Sequence, residues 1–300
     1  MKIYRRMSEN SSDSQSIEKT VYETVRSVTD RLTPLYGQGE AKAMARIIFA
    51  NLKGWTPVDL AIKANETLTG YMSGKIDAVV DRLLRHEPIQ YIFGNTIFYG
   101  LKIGVTRDTL IPRPETAELV DIIVRDNSDR KDLRVLDIAT GSGCIALALA
   151  RNLPFADVTA TDISAGALDV ARANARDLKA RVDFIEADIL KGEPAGEGPF
   201  DIIVSNPPYI ADSERADMDP NVLDFEPHSA LFVPDSDPLE FYRAILGYAA
   251  DALAPGGTVY FEINPLFADR LVDMARNAGW SRIDIQRDSF GKQRFAIISK

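Results

Sequence analysis

Asn206-Pro207-Pro208-Tyr209 is the stretch whose residue types point most directly to a chemistry. An amide nitrogen is a poor nucleophile because its lone pair is delocalised into the carbonyl, so alkylating it requires that lone pair to be localised and aimed. Two hydrogen-bond acceptors can do this. The Asn206 side-chain oxygen and the Pro207 backbone carbonyl can each take one N–H, turning the lone pair toward an incoming methyl carbon and favouring the positive charge that develops. The prolines stiffen the loop, which leaves little ordering for the reaction to demand. Tyr209 and Pro208 complete the rigid edge, the tyrosine offering a flat face to a planar amide. Neither Asn nor Pro accepts a proton at neutral pH, so catalysis by positioning is expected rather than by a general base. A rigid turn without chemistry is the competing reading of the same four residues.

The methyl donor needs a site beside that loop. Ala139-Thr140-Gly141-Ser142-Gly143 follows the apolar run Val135-Leu136-Asp137-Ile138 and opens a helical pattern, the place where an open parallel sheet binds its ligand. Asp162 ends the next apolar run, where an acidic side chain accepts hydrogen bonds from ribose hydroxyls. An N-cap for the helix starting near Ser164 is the structural alternative. The fingerprint G-x-G-x-x-G is absent, so a ligand with a ribose but no pyrophosphate fits better than a dinucleotide, and S-adenosylmethionine is such a ligand. At the end of the third run, Asp188 is placed to accept from an exocyclic adenine amine and Ile189 to cover a ring face, with a solvated turn aspartate as the alternative. Asn206 is expected to contact the cofactor as well.

The elements that must hold these residues follow from periodicity. Ile17, Val21, Val25 and Val28, then Ala43, Ala45, Ile47, Ile48 and Leu52, then Ile76, Val79, Val80, Leu83 and Leu84 recur at helical spacing. Thr56-Pro57 reads as a cap and first turn. The expected layout is a flexible tail over 1–15, a helical domain over 16–88, a linking β-hairpin over 89–111 and a catalytic domain over 112–300. Ile111-Pro112-Arg113-Pro114 is a stiff extended entry to a helix near Glu115. Beyond 131, strand, turn and helix alternate, with strands at Val135–Ile138, Val158–Thr161, Val182–Ile185, Ile202–Val204 and Thr258–Ile263. Such alternation predicts an α/β, doubly wound parallel sheet covered on both faces. Ile283–Gln286 and Arg294–Ile298 lie too close together for a crossover and are expected as an antiparallel edge hairpin.

Composition narrows the function. The chain has 300 residues, a net charge of -9, one cysteine and two histidines. The acidic balance disfavours a nucleic-acid substrate, and the scarcity of Cys and His disfavours a metal site. No apolar run is long enough for a membrane span and no secretory leader is visible, so a cytoplasmic location is expected; a monomer is expected as well. Cys144 reads as a small buried residue rather than a reactive thiol.

These stretches resemble the HemK/PrmC family of release-factor glutamine N5-methyltransferases, across nearly the whole chain: Glu87 to Gly94, Leu110 to Thr116, Leu136 to Ile145, Asp162 to Ser164 and Ser205 to Ile210. The Asn-Pro-Pro-Tyr tetrapeptide is shared with amino methyltransferases acting on nucleic acid, which keeps an adenine amino group open as an alternative substrate; a binding module that has lost the cofactor is another. The Leu-Ile-Pro-Arg-Pro-Glu-Thr stretch makes the likeness specific. It implies a class I methyltransferase fold, S-adenosylmethionine as cofactor and the Gly-Gly-Gln glutamine of class 1 peptide chain release factors as substrate, docked with help from the helical domain and hairpin. Ala139 stands where the family usually has glycine, which requires a negative φ there and room beside the cofactor for a methyl, and so bears on cofactor affinity. Ala117 replaces a glutamate, with Glu115 and Glu118 as possible substitutes, and Asn264 and Phe267 replace a glycine and a glutamine. Arg113 is read either as a ligand for the cofactor carboxylate or the substrate or as half of an ion pair, and Glu226 either as part of a segment closing over the site or as a surface turn.

Overall fold

The computed structural model describes residues 19–192 and 196–300, so the expected tail over 1–15, and Ile17, lie outside the described residues. The chain divides into two compact units, Met1–Ile89 and Gln90–Lys300.

The first unit is helical, as its periodicity predicts. Helix α1 (Val21–Lys53) starts at Thr20, whose hydroxyl accepts from the Glu23 amide while the Glu23 carboxylate accepts from the Thr20 amide. Gly37, at φ 77° and ψ 158°, breaks it into two limbs. The second limb is rotated from the expected face. Ala41, Met44, Ala45, Ile48 and Phe49 are buried and Ile47 is 38% exposed, because the stripe containing the large Met44 and Phe49 removes more apolar surface than one containing Ala43. Helix α2 (Pro57–Ile62) carries the capping box announced by Thr56-Pro57, with Asp59 as its acidic partner. Helix α3 (Gly70–Leu83) buries Ile76, Val79, Val80 and Leu83, and Leu84 faces outward as its C-cap. Arg31 holds α1 to α3 through Asp77 at 2.6 Å and Asp81 at 2.7 Å.

A hairpin starting at Ile89 is corrected to a helical turn followed by a shorter hairpin. Ile89–Phe93 forms α4, Gly94 at φ 68° ends it, and the hairpin is β1 (Asn95–Phe98) with β2 (Leu101–Gly104). This hairpin belongs to the second unit, where the amide group of Asn174 exchanges hydrogen bonds with Gly104 at 2.7 and 2.9 Å.

The remainder runs α5 (Pro114–Asp126), β3 (Arg134–Ile138), α6 (Cys144–Asn152), β4 (Asp157–Asp162), α7 (Ala165–Leu178), β5 (Asp183–Glu186), β6 (Phe200–Ser205), β7 (Ile210–Ala211), α8 (Pro220–Leu223), β8 (Phe232–Val233), α9 (Glu240–Ala252), β9 (Leu253–Glu262), α10 (Ala268–Asn277), β10 (Arg282–Arg287) and β11 (Gln293–Ser299). Strands order as β10-β11-β9-β6-β3-β4-β5 in one sheet. The five from β9 to β5 are parallel, and β11 is antiparallel to both β9 and β10, which bears out the expected edge hairpin. Alternation along the strands builds two apolar layers. Val135, Ile202, Val204, Tyr260 and Phe295 pack with α5 and α6 on one face. Leu136, Ile138, Ile203, Val259, Phe261 and Ala296 pack with α9 and α10 on the other. The two-residue parallel ladder of β7 with β8 carries too little pattern to be read from sequence.

The chain travels outward from β3 through β4 to β5, then returns to place β6 on the other side of β3. Helices on opposite faces part at that reversal, leaving a crevice beyond the carboxyl ends of β3 and β6.

Candidate active site

The crevice is a cavity of about 350 Å³, lined among others by Ala139 to Ser142, Asp162, Asp188, Ile189, Asn206 and Pro208. The structure thus brings together most of the residues singled out above. Gly143 ends the loop at φ 79°, where an added Cβ would stand 3.1 Å from the Ala171 Cβ. Pro207 is buried, and Tyr209 is half-buried with its ring packed against the apolar layer of α9 and α10.

The loop after β3 is held from below by buried polar groups. Asp137 Oδ2 accepts from the Thr140 hydroxyl at 2.6 Å and the Ala146 amide at 3.1 Å. Its other oxygen has no partner among the described residues, and burial pushes its carboxyl up to about 7. Asp162 accepts from the Gly141 amide at 2.9 Å through one oxygen and from the Ser164 amide at 2.9 Å through the other. The N-cap of α7 is Ser164, which accepts from Ala167, so Asp162 instead ties β4 to the glycine loop. Its carboxyl is raised by burial, against the opposing effect of those amides. Each of its oxygens retains a second lone pair for a ligand hydroxyl. Asp188 Oδ1 accepts from Leu190 and Oδ2 pairs with Lys191 at 3.1 Å, which orients it at the cavity wall.

Ala139 contradicts its expectation, since φ there is +60°, not negative. The backbone turns sharply after β3 regardless of residue type, and the alanine takes up the strain that a glycine would avoid.

On the β6 side, Asn206 Nδ2 donates to Thr116 Oγ1 at 3.2 Å, and the Thr116 hydroxyl donates to Glu262 Oε2 at 2.7 Å. The Tyr209 hydroxyl donates to Glu262 Oε1 at 2.9 Å. Glu262 is fully buried and its carboxyl is raised by desolvation, opposed by Thr116, Tyr209 and the Arg294 charge. Burial raises the Tyr209 phenol as well, with the Glu262 charge adding to it. Asn264 donates to the Tyr209 carbonyl at 3.1 Å and to Glu214 at 2.8 Å, so this departure from the family pattern holds the loop from Asn206 to Tyr209 from behind. Sequence reasoning missed Asp137, Thr116 and Glu262. The available signal was an acid embedded in an apolar strand, at Asp137 in β3 and at Glu262 in β9, where an unpaired charge would be costly.

Arg113 and Glu226 find each other. Arg113 pairs with Glu226 at 2.5 Å, and Glu226 also accepts from the Ile111 amide at 3.0 Å. Glu118 receives both the amide and hydroxyl of Ser289 and so secures the turn between β10 and β11. Cys144 is buried with its thiol pushed up to about 12 by desolvation, which leaves it unreactive. His228 contacts the Leu223 carbonyl through Nε2 at 2.8 Å. Among the described residues no cluster of three His, Cys, Asp or Glu is arranged for a metal ion, and no helix is long and apolar enough to cross a membrane.

The cavity fits S-adenosylmethionine. Asp108, Asp162, Asp188 and Glu240 line it against Arg113 as its basic residue, which suits a ligand bearing sulfonium and ammonium charges. Beneath its glycine loop lies the Asp137 oxygen that has no partner among the described residues. An added Cβ on Gly141, at φ 54°, would meet nothing within 4 Å, so the loop leaves open space above its backbone.

Known proteins resemble the chain in both units. Residues 23–94 match the PrmC N-terminal domain and residues 117–222 the Methyltransferase small domain. A release factor glutamine methyltransferase from Bacteroides thetaiotaomicron is 42% identical over 91% of this chain and 98% of its own length. One from Streptococcus pneumoniae is 38% identical over 88% and 94%. A methyltransferase structure from Pyrococcus furiosus, 23% identical, superposes with a TM-score of 0.50 over 73% of this chain and 95% of that one, a likeness of fold. The protein is therefore a member of the release factor glutamine methyltransferase family.

Proposed function

We propose that this protein transfers the methyl group of S-adenosylmethionine to the side-chain amide nitrogen of the glutamine in the Gly-Gly-Gln motif of a class 1 peptide chain release factor, acting as a cytoplasmic monomer. The observation that carries the reading is the orientation of Asn206, which gives its amide nitrogen to Thr116 at the wall of the cavity and so keeps its oxygen for an incoming N–H.

When bound, S-adenosylmethionine supplies a methyl carbon activated by a positively charged sulfur. Asp162 would hold the ribose hydroxyls, Asp188 and Ile189 the adenine, and the loop from Ala139 to Gly143 the remainder. Asn206 Oδ1 and the Pro207 carbonyl accept the two N–H groups of the substrate amide, which localises the nitrogen lone pair and stabilises its developing positive charge. The methyl group would pass to the nitrogen held by these two acceptors, and the N–H proton that the nitrogen then sheds would leave to solvent. Neither acceptor is basic at neutral pH, so their contribution is geometric and electrostatic. Pro207 and Pro208 keep the acceptors in place before substrate arrives. The helical unit and the hairpin would help dock the release factor.

The test is to incubate the protein with methyl-labelled S-adenosylmethionine and separate release-factor, DNA and RNA fractions. Label at the Gly-Gly-Gln glutamine is expected. Label in nucleic acid alone would end the proposal, and calorimetry without cofactor binding would make the chain a binding module.

A further inference from the structure

Thr116 lies in the first turn of α5, placed there by the Pro112-Arg113-Pro114 stretch, and Glu262 ends β9. Both are buried, at 3% and 1% exposure. A carboxylate has no hydrogen to give, so each group bonded to Glu262 must donate to it. Tyr209 does so at one oxygen, and Thr116 at the other. Burial raises the Glu262 carboxyl, whereas the Thr116 and Tyr209 hydroxyls and the guanidinium of Arg294, on β11, favour its anionic form, and Glu115 opposes it. Thr116 has one hydroxyl hydrogen, and that hydrogen is spent on Glu262. Toward Asn206 its oxygen can only accept.

We infer that Thr116 is a positioning residue for methyl transfer: with its hydrogen committed to Glu262, it fixes the Asn206 side chain with the nitrogen against Thr116 and the oxygen toward the substrate amide. The inference rests on the reading of Asn206 as an acceptor for that amide. The two ends of an asparagine amide have nearly the same shape, so packing alone does not choose between them and the hydrogen-bond network must. Turned over, Asn206 would set its oxygen against the lone pairs of Thr116 Oγ1 at the same 3.2 Å and present N–H to N–H at the substrate. That orientation repels the charge developing on the nitrogen. A buried acid two hydrogen bonds from Asn206 thereby sets the polarity of the residue that touches the reacting atoms.

The experiment compares Thr116→Val, Thr116→Ser, Thr116→Cys, Asn206→Ala and Thr116→Val/Asn206→Ala in the full chain. It reads kcat and KM for release-factor methylation, with S-adenosylmethionine affinity measured by calorimetry. Val has the shape of Thr without the acceptor, and kcat should fall about tenfold at near-constant cofactor affinity. Ser keeps both donor and acceptor, and should stay within about threefold of the parent. Cys keeps a donor for Glu262 but offers Asn206 a poor acceptor, so its kcat should fall even if Val proves unstable. Because Thr116 acts through Asn206, the double variant should be no slower than Asn206→Ala alone. An unchanged kcat in the Val and Cys variants, or effects that multiply in the double variant, would overturn the inference while leaving the assigned reaction intact. A parent enzyme that fails to label the release factor overturns the reaction itself, and the inference with it.

Discussion

Arg113 and Glu226 lie 113 positions apart in sequence and form a 2.5 Å ion pair in which Glu226 is 1% exposed at its side chain. The pair joins the proline-rich entry to α5 with the segment leading to Ser229 and Ala230, which line the cavity. Removing one partner strands the other. Arg113→Ala should cost about 3 kcal/mol of stability, the lower end for a broken buried pair since the arginine is partly solvated. Urea unfolding of Arg113→Ala, Glu226→Gln and the double variant measures it, and the double should cost less than the two singles combined. Additive losses would show that the two side chains act separately.

Ala139→Gly should stabilise the protein. An L-residue at φ +60° pays a penalty that glycine avoids, on the order of 1 kcal/mol, or about 2–4 °C in Tm for a domain of this size. Differential scanning calorimetry without cofactor gives the answer, and a lower Tm would show that the turn is relaxed. A simultaneous tightening of S-adenosylmethionine would locate the alanine methyl against the ligand.

Asn206→Ala and Asp162→Ala should give opposite kinetic signatures. Losing the Asn206 oxygen should lower kcat about a hundredfold while leaving cofactor affinity near its parent value. Losing Asp162 frees the Gly141 and Ser164 amides and removes the proposed ribose acceptor, so cofactor affinity should fall at least about tenfold, the equivalent of one charged hydrogen bond. Collapse of cofactor binding in Asn206→Ala would show that its assigned role is wrong.

Stability should depend on pH through the buried acids. Burial raises Asp137 to about 7, whereas the unfolded chain titrates it near about 3.9. The folded state binds that proton more tightly, so the resulting stabilisation is complete below about pH 4 and is lost as pH rises toward about 7. Asp162 and Glu262, also raised by burial, act in the same direction. The cofactor-free Tm should therefore fall across this window, less steeply in Asp137→Asn. A variant with the parent slope would exclude Asp137 as the source.

The sheet was legible because each strand is a short apolar run followed by a small-residue or acidic turn, and the start of α7 was expected near Ser164, which is its N-cap. The positions of Asp162, Ile189 and Asn206 followed from the same alternation, since every such turn must emerge at one edge of a parallel sheet. The relationships that polarise the site were not legible. Thr116, Glu262 and Tyr209 come from three distant elements, and nothing local to any one of them announces the others. Arg113 and Glu226 were each visible as polar residues near proline, but their pairing depends on the route taken by the segment between β6 and α9. Ala139 shows the reverse problem, where residue type argued for one backbone region and the geometry after β3 required another. In α1, the limb beyond Gly37 was assigned the wrong face because its apolar residues satisfy two overlapping helical stripes.

Asn174, on α7, donates to both the Gly104 carbonyl of the hairpin and the Ser142 carbonyl of the glycine loop, each at 2.9 Å, while its oxygen accepts from Gly104. A ligand that quiets the loop must therefore also quiet the hairpin end. Deuterium uptake at the Gly104 amide becomes a remote gauge of cofactor occupancy, readable in a strand that contributes no atom to the cofactor's cavity.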